Sequence, residues 1–374
     1  MSPKSTSIAE PGNLLISIPN WVGDAVMATP ALSAVRRRFP AARITFLLRR
    51  YVADVLAGTQ LANDCLYWPS ENTLGGHFSL LREMRNRRFD TALLLTNSFR
   101  SAFVVWLARV PRRIGYARDG RSWLLSDRLT PVRAGGSFVP VPAMDYYQTL
   151  ARHIGCERVD DQMVLATSVE DEAAIDRRLG ALDASRPLVV LNPGANFGSA
   201  KCWPPEKYAA LADALTRCYG ARVVASLGPK ERHIAAGLQA AAKEPIEIFI
   251  DPPLGLGPLK ALVRRSRLLI TNDTGPRHFA PPFDVPVVTI YGSSDPAWTV
   301  TRFSKERNVM LKLACQPCMA RTCPLKHHDC MRKLEPSLVL EAVDEFLSPW
   351  REGGDGRAAG VVQAVRGETG PSCW

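Results

Sequence analysis

The chain has 374 residues, 46% hydrophobic and 22% charged, with a formal net charge of +11. That is more chain than one ordinary core holds, so two domains are expected, and the apolar content excludes a disordered protein. No apolar run is long enough to span a bilayer, and the opening MSPKSTSIAEPGN lacks the apolar core of a secretory signal, so a cytoplasmic location is expected.

The charge is uneven. Nineteen Lys and Arg stand against ten Asp and Glu through residue 150, a net +9, and the remainder carries only +2. A basic N-terminal half points to an anionic partner: nucleic acid, an acidic membrane surface or a phosphorylated substrate. The plain alternative is an Arg-rich soluble surface.

In chain order, residues 1–12 read as a flexible tail. The run 14–18, LLISI, reads as a buried strand, followed at 19–32 by PNWVGDAVMATPAL. Gly23 permits a tight turn there, and Asp24 falls at a helix entry. A carboxylate at that place either caps the helix or serves as a general base held at a strand end. Further strands are expected at 44–48 and 91–95. A second series follows at 188–192, 222–226, 246–250, 267–271 and 286–291, with helices between, such as 205–219. The pattern starts twice, and the charged helix-like stretch and polar turn near 165–187 part the two series. The expected organisation is α/β: two Rossmann-like domains, 13–170 and 171–348, with parallel sheets facing across a cleft and ligands at the carboxyl ends of the strands. The Gly-rich tail, 349–374, is expected to be disordered.

No G-x-G-x-x-G follows the first strand, and no P-loop or nucleophile elbow occurs. This weighs against a dinucleotide oxidoreductase, a P-loop NTPase and a Ser hydrolase. Three other stretches carry candidate chemistry. In LNPGANFGSAKCWPPEKYAAL, 191–211, a strand ends in a small polar loop holding Asn196 and Lys201, able to offer backbone N–H groups and an ammonium to a phosphate, or merely an ordinary loop with a solvated Lys. In LLITNDTGPRHFAPPFDVPVVTIYGSSDP, 268–296, Asp273, Thr274 and Gly275 open a helix. Asp and Thr would cap it, with donors left for a diphosphate, and His278 lies one turn on, as a packed residue or a ligand. CQPCMARTCPLKHHDCM, 315–331, spaces Cys315, Cys318, Cys323 and Cys330 as C-x2-C-x4-C-x6-C around His327 and His328. A structural metal, a metal-free thiol loop and a pair of disulfides all suit that spacing, while no open coordination position makes it catalytic.

Together GDAVMATPAL, NPGANFGSAKCWP and TNDTGPRHFAPPFDVPVVTIYGSSDP resemble the bacterial heptosyltransferases of glycosyltransferase family 9. NSFRSAFVVWLARVPRRIGY and the Cys-rich stretch are most similar to its heptosyltransferase II branch. The resemblance covers about residues 13–345. It implies a GT-B fold, with the acceptor on the N-terminal domain, the nucleotide sugar on the C-terminal one and the active site between them. The implied reaction is transfer of heptose from ADP-L-glycero-D-manno-heptose to the inner core of lipopolysaccharide, with inversion. Asp24 then matches the catalytic Asp, Lys201 the phosphate-binding Lys, Asp273-Thr274-Gly275 the nucleotide loop, and Glu231 an acidic residue near the ribose. Asn196 and His278 join the donor set. Gly23, Asn97, Arg100 and Arg113 join the acceptor set, with Arg112 and Arg118 as further partners for acidic core groups.

The resemblance implies no metal, which leaves the four cysteines an alternative structural site, and no cofactor beyond the donor. It implies no nucleic-acid partner, and adds peripheral contact with the cytoplasmic face of the inner membrane. Two departures stand out: Pro281-Pro282 should shorten or kink the helix after the nucleotide loop, and Cys202 stands where a basic residue is common. Other readings are a family 9 transferase with another nucleotide sugar or acceptor, and a GT-B sugar-nucleotide epimerase. A nucleic-acid-binding protein with a zinc module would explain the charge and the cysteines but not the strand-end loops.

Overall fold

The computed structural model describes residues 10–70, 73–135 and 137–351. Of the two expected tails, 1–9 and 352–374 lie outside the described residues. The parts inside are pinned: the Gly12 N–H donates to Asp90, Glu10 pairs with Arg38, and 348–350 form a 3-10 turn with Trp350 under the Arg267 guanidinium.

The chain divides into two compact units, one of residues 1–166 and 297–302, the other of 167–296 and 303–374. The first runs β1 (Asn13–Ser17), α1 (Val22–Met27), α2 (Thr29–Arg38), β2 (Arg43–Leu48), α3 (Arg50–Leu56), β3 (Asp64–Tyr67), α4 (Leu74–Arg87), β4 (Thr91–Leu94), α5 (Phe99–Leu107), β5 (Arg112–Tyr116), β6 (Asp127–Leu129), a short hairpin β7 (Arg133–Ala134) and β8 (Ser137–Phe138), and α6 (Ala143–His153). Its sheet has the parallel order β3-β2-β1-β4-β5-β6. β1 is central, with Ile16 level with Phe46 and Leu93. Helices cover both faces, which is why LLIS is apolar throughout rather than alternating.

The second unit runs α7 (Val169–Leu179), β9 (Leu188–Asn192), α8 (Pro205–Tyr219), β10 (Arg222–Ser226), α9 (Arg232–Ala241), β11 (Glu247–Phe249), α10 (Leu256–Arg265), β12 (Leu268–Asn272), β13 (Val287–Ile290), β14 (Glu306–Val309), α11 (Asp329–Arg332) and α12 (Pro336–Leu347). Its sheet repeats the order, β11-β10-β9-β12-β13-β14, again all parallel. Each sheet reverses its strand order once, between β1 and β4 and between β9 and β12. In open parallel sheets the crevice at that reversal is where ligands sit. Both units are Rossmann-like.

A boundary at 170/171 falls inside α7. The crossing lies at Ala166/Thr167 because α7 belongs wholly to the second unit. Ser168 caps it reciprocally with Asp171, and its Glu172 and Asp176 pair with Arg264 and Arg265 on α10. A second crossing, unmarked in the sequence, returns 297–302 to the first unit, where Arg302 pairs with Asp145 at 2.7 Å. Pro281-Pro282 has the expected effect: after β12 only 3-10 turns form, Gly275–Phe279 and Pro281–Phe283, because proline supplies no N–H to an α-helix.

Candidate active site

In the first unit, β1 ends beneath the stretch that carries Asp24. Asp24 is not the cap. Trp21 is the residue before the helix and makes no side-chain cap, while Asp24 lies in the first turn of α1. Gly23 is likewise helical and buried, so it allows close packing rather than a turn. The Asp24 carboxylate is half-buried, and its Oδ1 accepts a hydrogen bond from Tyr147 Oη on α6 at 3.0 Å. Tyr147 is buried. Its hydroxyl is held protonated far above the usual range, first by burial and then by the Asp24 charge. A buried phenol thus fixes one carboxylate oxygen of Asp24.

On the other side of the reversal, Asn97 follows β4. Its Oδ1 accepts from Tyr146 Oη at 2.7 Å and from Arg121 Nη2 at 3.3 Å. Arg121 is fully buried and spans the strand ends, donating to the Thr96 and Tyr116 carbonyls at 2.5 and 3.1 Å. Burial lowers it to about 10, so it is still a cation at neutral pH. Gly115 leaves it room: a Cβ there would stand 3.2 Å from its Nη2. Arg100, in the first turn of α5, lies over the Trp68 ring at 4.7 Å and stays on the carboxyl side of the sheet.

Arg113 does not belong to this group. It is the second residue of β5, at the amino end of the strand, and its guanidinium donates to the carbonyls of Val110, Pro111 and Leu124. Arg112 beside it pairs with Asp127 at 3.2 Å. Both arginines hold the sheet edge together, on the side opposite the ligand crevice.

In the second unit, the loops after β9 and β12 are tied to each other. Asn272 Nδ2 donates to the Pro193 carbonyl at 2.6 Å, and Asn192 Nδ2 to Thr271 Oγ1 at 3.1 Å. Lys201 ends a 3-10 turn, Ser199–Lys201, and its ammonium donates to Asp273 Oδ2 at 2.5 Å and to the Asp273 carbonyl at 3.2 Å. Asp273 also accepts from Arg277 at 2.9 Å and Ser294 Oγ at 2.6 Å. Burial would raise this carboxyl, but the Arg277 and Lys201 charges and the Lys201 and Ser294 hydrogen bonds outweigh it and hold the pKa at about 2. Its carboxylate is therefore turned inward as an anchor for two cations, rather than outward to a nucleotide.

Thr274 and Gly275 stay half-exposed at the start of the 3-10 turn, and Thr274 makes no side-chain cap. His278 is 3% exposed, packed into the core of that turn. Burial and the neighbouring Arg277 push it well below its ordinary range, so it is neutral. It is a core residue and not a direct donor ligand. Glu231 is the residue before α9. Its carboxylate accepts the Gly228 N–H at 2.7 Å and occupies the space a side chain at residue 194 would need, so Gly194 is what lets it reach the β9 loop. Asn196 is exposed on that loop.

The Cys-rich stretch braces these loops. The Met319 N–H donates to the Ser293 carbonyl at 2.8 Å, Gln316 to the Gly292 carbonyl at 2.7 Å, and Arg321 accepts from the Ala200 N–H at 3.0 Å. Only glycine fits at 198, because a Cβ would run into the Arg321 carbonyl. Phe197 has Lys201 over its ring at 4.8 Å and Arg321 at 5.1 Å, so a second cation stands near Lys201 where the sequence had offered only Cys202. Cys315, Cys318, Cys323 and Cys330 are free thiols lining one small cavity with His327 and His328. Among the described residues no three Cys, His or acidic side chains stand in a metal-binding arrangement.

The family model for glycosyltransferase family 9 (heptosyltransferase) matches residues 77–328. The chain belongs to that family. It is 27% identical to lipopolysaccharide heptosyltransferase 2 of Salmonella typhimurium over 348 residues, 90% of this chain and 98% of that one, and 27% identical to the Escherichia coli protein of the same name, over 89% and 98%. Among solved structures it resembles Escherichia coli ADP-heptose lps heptosyltransferase II, with a TM-score of 0.74, 26% identity, and coverage of 90% of this chain and 98% of that one. A second Escherichia coli heptosyltransferase, solved with ADP-2-deoxy-2-fluoro heptose, shares the fold at a TM-score of 0.67, 16% identity and coverage of 89% and 99%. This family 9 glycosyltransferase carries partners outside the sequence motifs, Tyr147, Tyr146 and Arg121, and others inside the quoted stretches that were not singled out, Ser294, Phe197 and Arg321. No local signal announces them. Tyr146 and Tyr147 of DYYQ reach Asn97 and Asp24 only through the packing of α6.

Proposed function

We propose that this glycosyltransferase moves heptose from ADP-L-glycero-D-manno-heptose to the inner core of lipopolysaccharide, inverting the anomeric carbon. The observation that carries the reading is Asp24: a half-buried carboxylate following the central strand at the reversal of strand order, with one oxygen fixed by Tyr147.

The acceptor hydroxyl attacks the anomeric carbon and gives its proton to Asp24, the general base, a contribution of about 10²–10⁴-fold. The C–O bond to ADP breaks through an oxocarbenium-like transition state, and the diphosphate leaves with the bonding electron pair. Lys201 receives that charge. Two of its three N–H bonds go to Asp273, which fixes its direction and leaves one further donor. Thr274 and the Gly275 backbone add neutral donors, Arg321 a second cation, and Glu231 a ribose acceptor. The reading needs no divalent ion and no nucleic acid. Asn97, held by Tyr146 and Arg121, and Arg100 serve the acceptor. A lipid-anchored acceptor places the enzyme in the cytoplasm, with peripheral contact at the inner membrane.

The test is acceptor-dependent release of ADP from ADP-heptose with heptose-deficient lipopolysaccharide core. Release without acceptor would indicate an epimerase or hydrolase instead, and no turnover with this pair would return donor and acceptor to the wider family.

A further inference from the structure

Four aromatic rings form one exposed cluster on the first unit. Phe99 stacks on Phe103 at 5.7 Å and Phe103 on Trp106 at 5.9 Å, along one face of α5. Trp123, from the 3-10 turn Ser122–Leu124, meets Trp106 at 5.9 Å and Phe99 at 6.2 Å. Their exposures run from 37% at Phe103 to 62% at Trp123. Large apolar side chains grouped in water cost free energy unless something covers them.

The patch continues onto α4. Leu74 and Phe78 are 90% and 73% exposed. Arg85 lies seven residues beyond Phe78 and eleven beyond Leu74, close to whole helical turns, so all three share one flank. That flank faces α5, because the Arg85 guanidinium donates to the Leu107 carbonyl at the end of α5 at 2.9 Å. Leu80 and Met84 of α4 and Val104 and Val105 of α5 share one core beneath, so the two helices cover the same face of the sheet.

The surroundings are strongly basic. Residues 73–125 hold ten arginines against three acidic residues and no lysine. Of the acids, Glu83 is paired with Arg87, and Asp90 accepts the Gly12 and Asn13 N–H groups. Arg82, Arg88 and Arg109 are exposed on these helices or at their ends.

We propose that this face, Leu74 and Phe78 of α4 with Phe103, Trp106 and Trp123, inserts into the interfacial layer of an anionic phospholipid bilayer. The charge decides the occupant. A second copy would bring the exposed Arg82, Arg88 and Arg109 against like charges, whereas acidic lipid headgroups complement them while the rings enter the acyl boundary. The surface projects from two helices rather than forming a groove for a peptide. The proposal gives a location to the membrane contact in the reading above, and its test uses no sugar substrate, so the two fail separately.

The full chain is co-sedimented with vesicles of phosphatidylglycerol and phosphatidylethanolamine, and separately with phosphatidylcholine alone, at about 0.1 M salt, where exposed charges still act over about 10 Å. Binding to the anionic vesicles, a blue shift of tryptophan emission on binding, and weak binding to phosphatidylcholine are expected. Leu74→Ser with Phe78→Ser, and separately Phe103→Ser with Trp123→Ser, should each weaken vesicle binding at least tenfold, and so should Arg82→Glu with Arg109→Glu. The melting temperature should stay unchanged. The two apolar pairs lie on different elements, so one remains decisive if the other fails to fold. Absence of wild-type binding to anionic vesicles, or binding that none of the variants alters, overturns the proposal. So does a dimer by light scattering that the same substitutions dissociate.

Discussion

Tyr147 donates its phenolic proton to Asp24 Oδ1 at 3.0 Å, joining α6 to the first turn of α1 across 123 residues of sequence. The phenol stays protonated at all working pH values, so the bond always runs in that direction. One carboxylate oxygen is thereby fixed in direction.

Tyr147→Phe keeps the packing and removes the bond. Turnover should fall about tenfold with the KM for the donor unchanged, because the base loses its orientation and the donor site lies elsewhere in the chain. Asp24→Asn should lower kcat by at least 10²-fold and leave ADP affinity intact. Steady-state kinetics paired with calorimetric ADP binding checks both, and a near-normal kcat for the Asn variant would remove Asp24 from the chemistry.

Lys201 and Arg321 should separate by stability. Lys201→Ala removes one of two cationic partners of the buried Asp273, leaves Arg277 in place, and should cost about 1.5–3 kcal/mol, along with weaker ADP binding. Arg321→Ala changes an exposed guanidinium and should weaken ADP binding severalfold with the melting temperature unchanged. Denaturant titration and calorimetry on the same samples read both effects.

Gly198→Ala should destabilise the second unit and loosen the donor loop, because the new Cβ meets the Arg321 carbonyl, a backbone atom with no room to retreat. A lower melting temperature together with weaker ADP binding is the expected pair of results.

His278 should make stability depend on pH. It is held well below its ordinary 6.5, so below pH 6.5 the unfolded chain takes up a proton that the folded chain refuses. Stability should fall as pH drops below 6.5. Asp273 acts in another window: its pKa of about 2, below the ordinary 3.8, gives stability that is present above 3.8 and lost as pH falls through about 2. Urea titrations at pH 6.5 and 5 should therefore differ, and His278→Gln should flatten the difference.

Legibility in the sequence followed burial. The central strands β1, β9 and β12 are continuous apolar runs because helices cover both faces, and they stood out at once. The outer strands β3, β5, β6 and β14 did not. They read DCLY, RRIGY, DRL and ERNV, and ladder bonds and ion pairs such as Arg112–Asp127 hold them where apolar pattern is absent. A charge at a strand end looks the same whichever end it occupies, which is why Arg113 read as a ligand and proved to be an edge brace.

By itself, the sequence determined the alternation of strands and helices, the double start, and the glycine-bearing loops after the first strand of each series. Those are local properties: period, turn chemistry and spacing. Only the tertiary structure decided what each loop residue faces. It turned Asp273 and His278 inward, fixed Asp24 with a tyrosine from a distant helix, set Arg321 beside Lys201, and gathered six apolar side chains from two helices and a turn onto one basic surface. The physical reason is that hydrogen bonds, ion pairs and burial act over a few ångströms of space, and no periodicity along the chain records which distant residues the sheet order brings within that reach.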